Sequence, residues 1–238
     1  TGDTLTRAGE TVAVLALLSE EQDGYPGDIK KSSSVVFEIW NSQGVKVREV
    51  VARVLETSPG KAIAEVLTEP LPTDLYTIRV RLSNNSYYES EETSGELAVY
   101  DPKAGFVYGA GILKEEGFKT FCFNVRYHRK DTSRPTGILR FTDRTDRRDK
   151  IEIVATSLTY LVIPETGDKA FISGFCKFNG ESGYSFTVEI EDKGRRRHSR
   201  SADTIHLVVK DSSGNIVYEA GGDVSPGVIT IHRKKRHK

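Results

Sequence analysis

From Gly105 to His232 the chain alternates apolar and polar positions in short runs, broken by Gly, Asn and Asp turns. Phe121, Phe123, Val125 and Tyr127 alternate with Cys122, Asn124, Arg126 and His128. Tyr184, Phe186, Val188 and Ile190 alternate with Ser185, Thr187 and Glu189. Strand side chains point to opposite faces with period two, so such runs put one face in a core and the other in water.

The first half follows the same rule. Gly9 and Glu10 open a strand over about residues 11 to 18, and an acidic, Gly- and Pro-containing loop follows from Glu20 to Asp28. Residues 35 to 40 form a second strand, Asn41-Ser42-Gln43-Gly44 reads as a hairpin turn, and residues 45 to 55 return. Residues 62 to 67 come next, then a turn at Pro70 and Pro72. Leu75, Thr77, Arg79 and Arg81 alternate with Tyr76, Ile78, Val80 and Leu82, and residues 96 to 100 close the set. Roughly seven short strands in about 100 residues is the pattern of an immunoglobulin-like sandwich. Pro102 removes a ladder donor and holds Asp101 extended, which marks a stiff junction. The expected fold is therefore all-β: two tandem antiparallel β-sandwiches over 1–101 and 102–238, the first Ig-like and the second jelly-roll-like or Ig-related.

The first half resembles the Ig-like repeats of large bacterial and archaeal surface proteins. The residues that carry the resemblance are Gly9 to Val12, the Asp23-Gly24 loop, Val35 to Ile39, Leu75 to Ile78, and Tyr87-Tyr88-Glu89-Ser90 before Leu97 to Tyr100. It lacks the paired Cys of antibody domains. The second half looks like the post-COAP β-strand domain of secreted microbial proteins. Gly105 to Gly111 matches that family's opening strand, with Ala110 in place of one Gly, and Pro135 to Phe141 matches its central Pro-Thr-Gly strand. Lys169-Ala170-Phe171, Gly174, Asn179-Gly180 and Gly183 to Phe186 match its next hairpin. Asp203 to Ile205, Asp211, Gly214-Asn215 and Val217-Tyr218 match the closing one. The resemblance implies a module that follows Ig-like repeats and is known as a fold, not as an enzyme.

Charge changes this picture more than composition does. The 238 residues carry 34 basic and 34 acidic side chains, a net charge of zero. Residues 1 to 100 hold nine Lys and Arg against sixteen Asp and Glu, a net of −7, and the remainder holds 25 against 18, a net of +7. Opposite poles of this kind could attract copies head to tail; the plainer reading is two domains with different surfaces. The longest apolar stretch, Val12 to Leu18, is far shorter than the ~20 residues that cross a bilayer. A chain that starts at Thr1 and holds no Met reads as a processed or excised piece, which points to an extracellular or cell-surface protein. The absence of Met, the two Gln (Gln22 and Gln43) and the 29% charged residues lean towards a thermostable protein.

Cys122 and Cys176 are a disulfide candidate in an extracellular chain; such a bridge would stabilise by roughly 3–4 kcal/mol. The alternative is two thiols packed as small apolar residues. His128, His198, His206, His232 and His237 show no metal-ligand spacing. Arg195, Arg196, Arg197 and Arg200, then Arg233, Lys234, Lys235 and Arg236, form basic runs, and Arg144, Arg147 and Arg148 form a third. They could meet acidic glycans, nucleic acid or an acidic domain, but no aromatic residues interleave with them as single-strand binding requires, so solvated loops are the plainer reading. Asp192, Asp203, Asp211 and Asp223 flank turns and could ligate Ca²⁺, yet no D-x-D-x-D-G loop is present, and residues 211 to 215 read better as a hairpin turn with Gly214 or Asn215 at positive φ. Asn84 heads a glycosylation sequon. Trp40, at a strand end, reads as core or interface. Tyr87, Tyr88 and Tyr108 are candidate glycan contacts.

No nucleophile elbow, phosphate loop or metal motif appears, so a non-catalytic structural or adhesive module is expected. Its partners would be copies of itself or other proteins, with no cofactor. The alternative is a carbohydrate-binding accessory module of a larger secreted hydrolase, with polysaccharide as the partner.

Overall fold

The computed structural model describes residues 4–20, 24, 27–29, 34–83, 93–113, 118–146, 150–194 and 202–234. They divide into two compact units, Thr1–Val99 and Tyr100–Lys238, and all their extended secondary structure is β.

In the first unit the strands are β1 (Thr4–Arg7), β2 (Val12–Ser19), β3 (Ser34–Trp40), β4 (Lys46–Ser58), β5 (Lys61–Thr68), β6 (Asp74–Leu82) and β7 (Thr93–Tyr100). Their order is β1-β7-β6-β3-β4-β5-β2. The long β4 serves two neighbours, pairing through its first part with β3 and through its last part with β5, and so turns the sheet over on itself. The core collects alternate residues from opposite walls, among them Val14, Phe37, Ile39, Ala64, Tyr76 and Leu97. The Asn41 hairpin forms as expected: Asn41 Oδ1 accepts the amides of Gln43 (3.1 Å) and Val45 (2.9 Å). Trp40 is half-buried; its indole nitrogen donates to Glu38 (3.3 Å), and the Arg79 guanidinium lies 4.8 Å from its ring centre. β1 is absent from the sequence reading because its four residues, TLTR, carry no apolar alternation.

The second unit holds β8 (Gly105–Leu113), β9 (Lys119–Tyr127), β10 (Pro135–Asp143), β11 (Ile151–Val162), β12 (Lys169–Phe178), β13 (Glu181–Glu191), β14 (Thr204–Lys210) and β15 (Ile216–Arg233). All eight are antiparallel to their neighbours and close into a barrel. The expectation of an all-β unit holds, and closure is the finer arrangement. Small antiparallel barrels fill their interior with inward side chains, and here these include Val107, Phe121, Phe123, Phe141, Ile153, Ile172, Phe186 and Leu207.

β15 makes closure work. Its first part pairs with β14, from Lys210↔Ile216 to Thr204↔Asp223, and its second part pairs with β8, from Val224↔Leu113 to Arg233↔Gly105. The register shifts between Val224 and Gly227. Backbones there are so close that a Cβ on Gly227 would meet the Gly111 Cα at 2.6 Å. The same crowding occurs at Gly137 of β10, whose φ is 146°. A Cβ there would stand 1.8 Å from the Asn124 carbonyl oxygen of β9.

Candidate functional site

The outer wall of the barrel carries two features with binding character. The first is a shallow cleft of about 560 Å³ over β13, β14 and β15. Gly221 and Gly222 form its floor, and Lys119, Glu189, His206 and Glu219 stand around it. Space at Gly221 is tight, since a Cβ there would lie 2.8 Å from the His206 ring, which would have to move aside. His206 Nε2 and Glu219 Oε1 are 2.8 Å apart, and Lys169 Nζ donates to Glu189 Oε1 at 2.8 Å. Both pairs are diagonal neighbours across adjacent strands, Lys169 being opposite Glu191 and His206 opposite Gly221. A polyhydroxyl ligand could exchange hydrogen bonds with such a rim. Sequence reasoning passed over His206 because it sought metal spacing. The hairpin turn at residues 211 to 215 gave the usable signal, since counting outwards from it sets His206 near Gly221 and Glu219.

The second feature is aromatic. Tyr108 is 42% exposed. Its ring stacks along Phe106 at 6.2 Å, and Phe106 meets the His232 ring at 4.7 Å. Tyr108 faces Asn124 on one side and Thr230 on the other, so a flat ring sits between an amide and a hydroxyl. Tyr87 and Tyr88, which the sequence grouped with it, lie outside the described residues, as does Asn84.

The basic patch separates into two kinds. Arg195, Arg196, Arg197, Arg200, Lys235 and Arg236, together with Arg147 and Arg148, lie outside the described residues. Arg233 and Lys234 belong to the barrel itself. Arg233 donates to the Glu165 carbonyl and its aliphatic stem packs on Gly167, while the Lys234 amide donates to Ala104 O at 2.7 Å.

The turn carboxylates are consumed by backbone amides. Asp192 follows β13 and Asp203 precedes β14, both beside the part of β15 that has outrun β14. Asp203 accepts the amides of Lys193 (3.1 Å) and Ile229 (3.0 Å). Asp192 accepts those of Gly194 and Ile231, each at 3.0 Å. Among the described residues no strand pairs with that flank of β15, and the two side chains answer its Ile229 and Ile231 amides in place of one. Asp211 holds its hairpin through Ser213 N (2.8 Å) and Asn215 N (2.9 Å), with Gly214 at φ 86°. The Asn215 amide, first among these donors, draws the Asp211 carboxyl below its ordinary range. Asp223 is exposed opposite Thr204. Among the described residues no three His, Cys, Asp or Glu side chains converge as metal ligands.

One partly buried polar cluster escaped the sequence reading. Tyr218 Oη donates to Asp143 Oδ2 at 2.8 Å, and Thr145 donates to Oδ1 through its amide (2.8 Å) and its hydroxyl (2.5 Å). Burial alone would raise the Asp143 pKa, but the bonds from Thr145 and Tyr218 outweigh it and hold the carboxyl below its ordinary range. Burial, with the Asp143 charge, pushes the Tyr218 hydroxyl far above its usual value. The cluster pins β10 to β15, with Asp143 buried, Tyr218 half-buried and Thr145 at the surface.

The disulfide expectation is corrected: Cys122 and Cys176 are free thiols. Cys122 alternates with the buried Phe121 and Phe123 and so faces outward from β9, whereas Cys176 is buried inside the barrel on β12. The thiols thus lie on opposite faces of the wall, and β10 and β11 separate their strands. Burial pushes the Cys176 thiol up to about 11. In the native protein a thiol reagent is expected to label Cys122 and spare Cys176, with both reacting after denaturation. A native mass two hydrogens short of the free-thiol value would contradict this.

No protein-family model matches the chain, and no curated protein matches it. Solved structures with a detectable likeness include an uncharacterized protein from Listeria monocytogenes EGD-e (TM-score 0.28, 13% identity). They also include a cycloalternan-forming enzyme from Listeria monocytogenes in complex with a pentasaccharide substrate (0.28, 13%). A third is the uncharacterized protein in complex with glucose, magnesium and calcium (0.29, 12%). Each likeness covers 94% of this chain and 19% of the other, so this chain spans about a fifth of the length of the proteins it matches. Likeness of this degree carries no argument about function.

Proposed function

We propose that this chain is a non-catalytic structural or adhesive module of a secreted or cell-surface protein, and that it associates head to tail through an acidic first unit and a basic second unit. The observation that carries the reading is the division of charge. The −7 of residues 1 to 100 and the +7 of the remainder fall on the two units, because the boundary residue Tyr100 is uncharged. We read the first unit as an Ig-like repeat and the second as a post-COAP-like domain. In support of the first, Tyr76 Oη donates to Pro72 O at 2.9 Å, the tyrosine-corner contact of immunoglobulin-type sandwiches.

The test is light scattering of the purified chain across ionic strength. Charge-driven assembly is expected at low salt and should disappear as the screening length falls to about 8 Å at physiological ionic strength and below. A monodisperse monomer at low salt would sink the reading. The second reading, a carbohydrate-binding accessory module, is favoured by the exposed Tyr108 between Asn124 and Thr230 and by the cleft at His206. A polysaccharide panel run on the same sample decides it, since that reading requires a monomer that binds.

A further inference from the structure

We infer that β2 is a self-pairing edge, through which two copies of this chain join their first units by antiparallel β2–β2 addition. Sheet edges that must stay single are normally kept short, charged, bulged or broken by Pro. The other edge of this sheet follows that rule, since β1 has four residues and ends in Arg7. β2 breaks it. Its eight residues, VAVLALLS, contain no charge and no Pro, and they pair with β5 in unbroken register from Val12↔Thr68 to Ser19↔Lys61. Among the described residues no strand pairs with its other side.

The outward face strengthens the case. Leu15 is 55% exposed and Leu17 77%. Leu17 stands opposite Ile63, and Ile63 opposite Leu55, so one apolar row crosses three strands and stops at the open edge. Leu67 and Val51 are exposed on the same outer face. An apolar row that ends at an unprotected ladder fits a partner supplying both backbone amides and apolar side chains.

The occupant is a second copy because the strand complements itself. Antiparallel pairing must set outward residues against outward residues, since a one-residue slip exposes the wrong face. Among the registers that obey this, one centred on Ala16 places each Leu15 opposite Leu17 of the other copy. The row then runs from Leu55 through Ile63 and Leu17 into Leu15 of the second copy, and its twin returns the other way. Ser19 meets Ala13, no charged side chain enters between them, and Glu20, one residue past β2, falls opposite Val12 at each end of the seam. Lys61 and Glu65 remain on β5, one strand back, where like charges of the two copies do not face each other. A contact made by one strand and a few side chains falls below the ~800 Å² per partner of a standard interface, so the dimer should be weak and concentration-dependent.

This pairing does not rest on the charge division, and salt separates the two. Sedimentation equilibrium over a wide concentration range, at low and high salt, is the experiment, with Leu17→Lys and Leu15→Lys beside the native chain. The expected result is a dimer that survives high salt and is weakened at least tenfold by either lysine, while circular dichroism shows the fold intact. Hydrogen exchange should also show β2 amides gaining protection as concentration rises. A dimer lost in salt but kept by the lysine variants overturns the inference in favour of charge. A salt-resistant dimer that ignores both lysines places the contact elsewhere and overturns it too, as does a monomer at every concentration.

Discussion

Alanine at Gly137 is expected to destabilise the barrel sharply while leaving the stability of the first unit unchanged. The added Cβ would stand 1.8 Å from the Asn124 carbonyl oxygen, on a backbone with φ 146° that a residue with a side chain rarely adopts. Backbone strain costs about 1–3 kcal/mol and overpacking a similar amount, so the loss should reach about 3–5 kcal/mol, a large part of a domain's stability. Neither neighbour can give way, because the obstacle is main chain held in register on both sides, Gly137 opposite Val125 and Ile138 opposite Asn124. Gly180→Ala is the control: its φ is also positive, at 89°, but nothing lies within 4 Å of the new Cβ. It should cost about 1–2 kcal/mol. The readout can be split by unit. Trp40 is the sole tryptophan and lies in the first unit, so its fluorescence should keep the native transition while circular dichroism shows the barrel melting early. An unchanged thermal midpoint for Gly137→Ala would mean that β9 and β10 do not approach in this way.

Asp203→Ala should be the next most costly change, at about 2–4 kcal/mol. It strips the partners from two amides at once, Lys193 and Ile229, and an unsatisfied buried donor costs about 1–3 kcal/mol. Asp203→Asn keeps one oxygen in the right place but turns the other into a donor that faces the Ile229 or Lys193 amide. It should therefore lose roughly half as much, about 1–2 kcal/mol. Denaturant titration with a constant m-value gives the comparison. If both variants match the native chain, the carboxylate is an ornament of the loop and β15 holds without it.

The strands were legible because burial follows the alternation so closely. Phe121, Phe123, Val125 and Tyr127 are buried, while Asn124, Arg126 and His128 are exposed. Closure was not legible, because period-two alternation is the same in a sandwich and a barrel. What differs is that β15 changes neighbours midway, at a register shift around Gly227. The failure of the disulfide was in principle readable. Cys122 shares the outward parity of Asn124, so any partner had to be outward as well, and Cys176 is not. The roles of Asp192 and Asp203 could not be read, because a loop carboxylate that caps a distant strand looks the same in sequence as one that waits for a cation. Tyr108 was singled out from sequence, but its neighbours Phe106 and His232 come from opposite ends of the unit and meet only through the β8–β15 pairing.

That pairing also sets the order in which the unit can be built. β8 is its first strand and β15 its last, and the ladder between them joins residues such as Gly105 and Arg233 that stand at opposite ends of its sequence. The intervening hairpins, β9 with β10, β11 with β12, β12 with β13 and β14 with β15, are local and can form early. The seam that seals the cylinder has the largest loop to close, and such contacts slow folding. On a ribosome, β8 would emerge long before its partner and wait with one ladder open. Until residues near 230 arrive, the growing chain is an unsealed sheet with two free margins, and its exposure to wrong partners lasts as long as its synthesis.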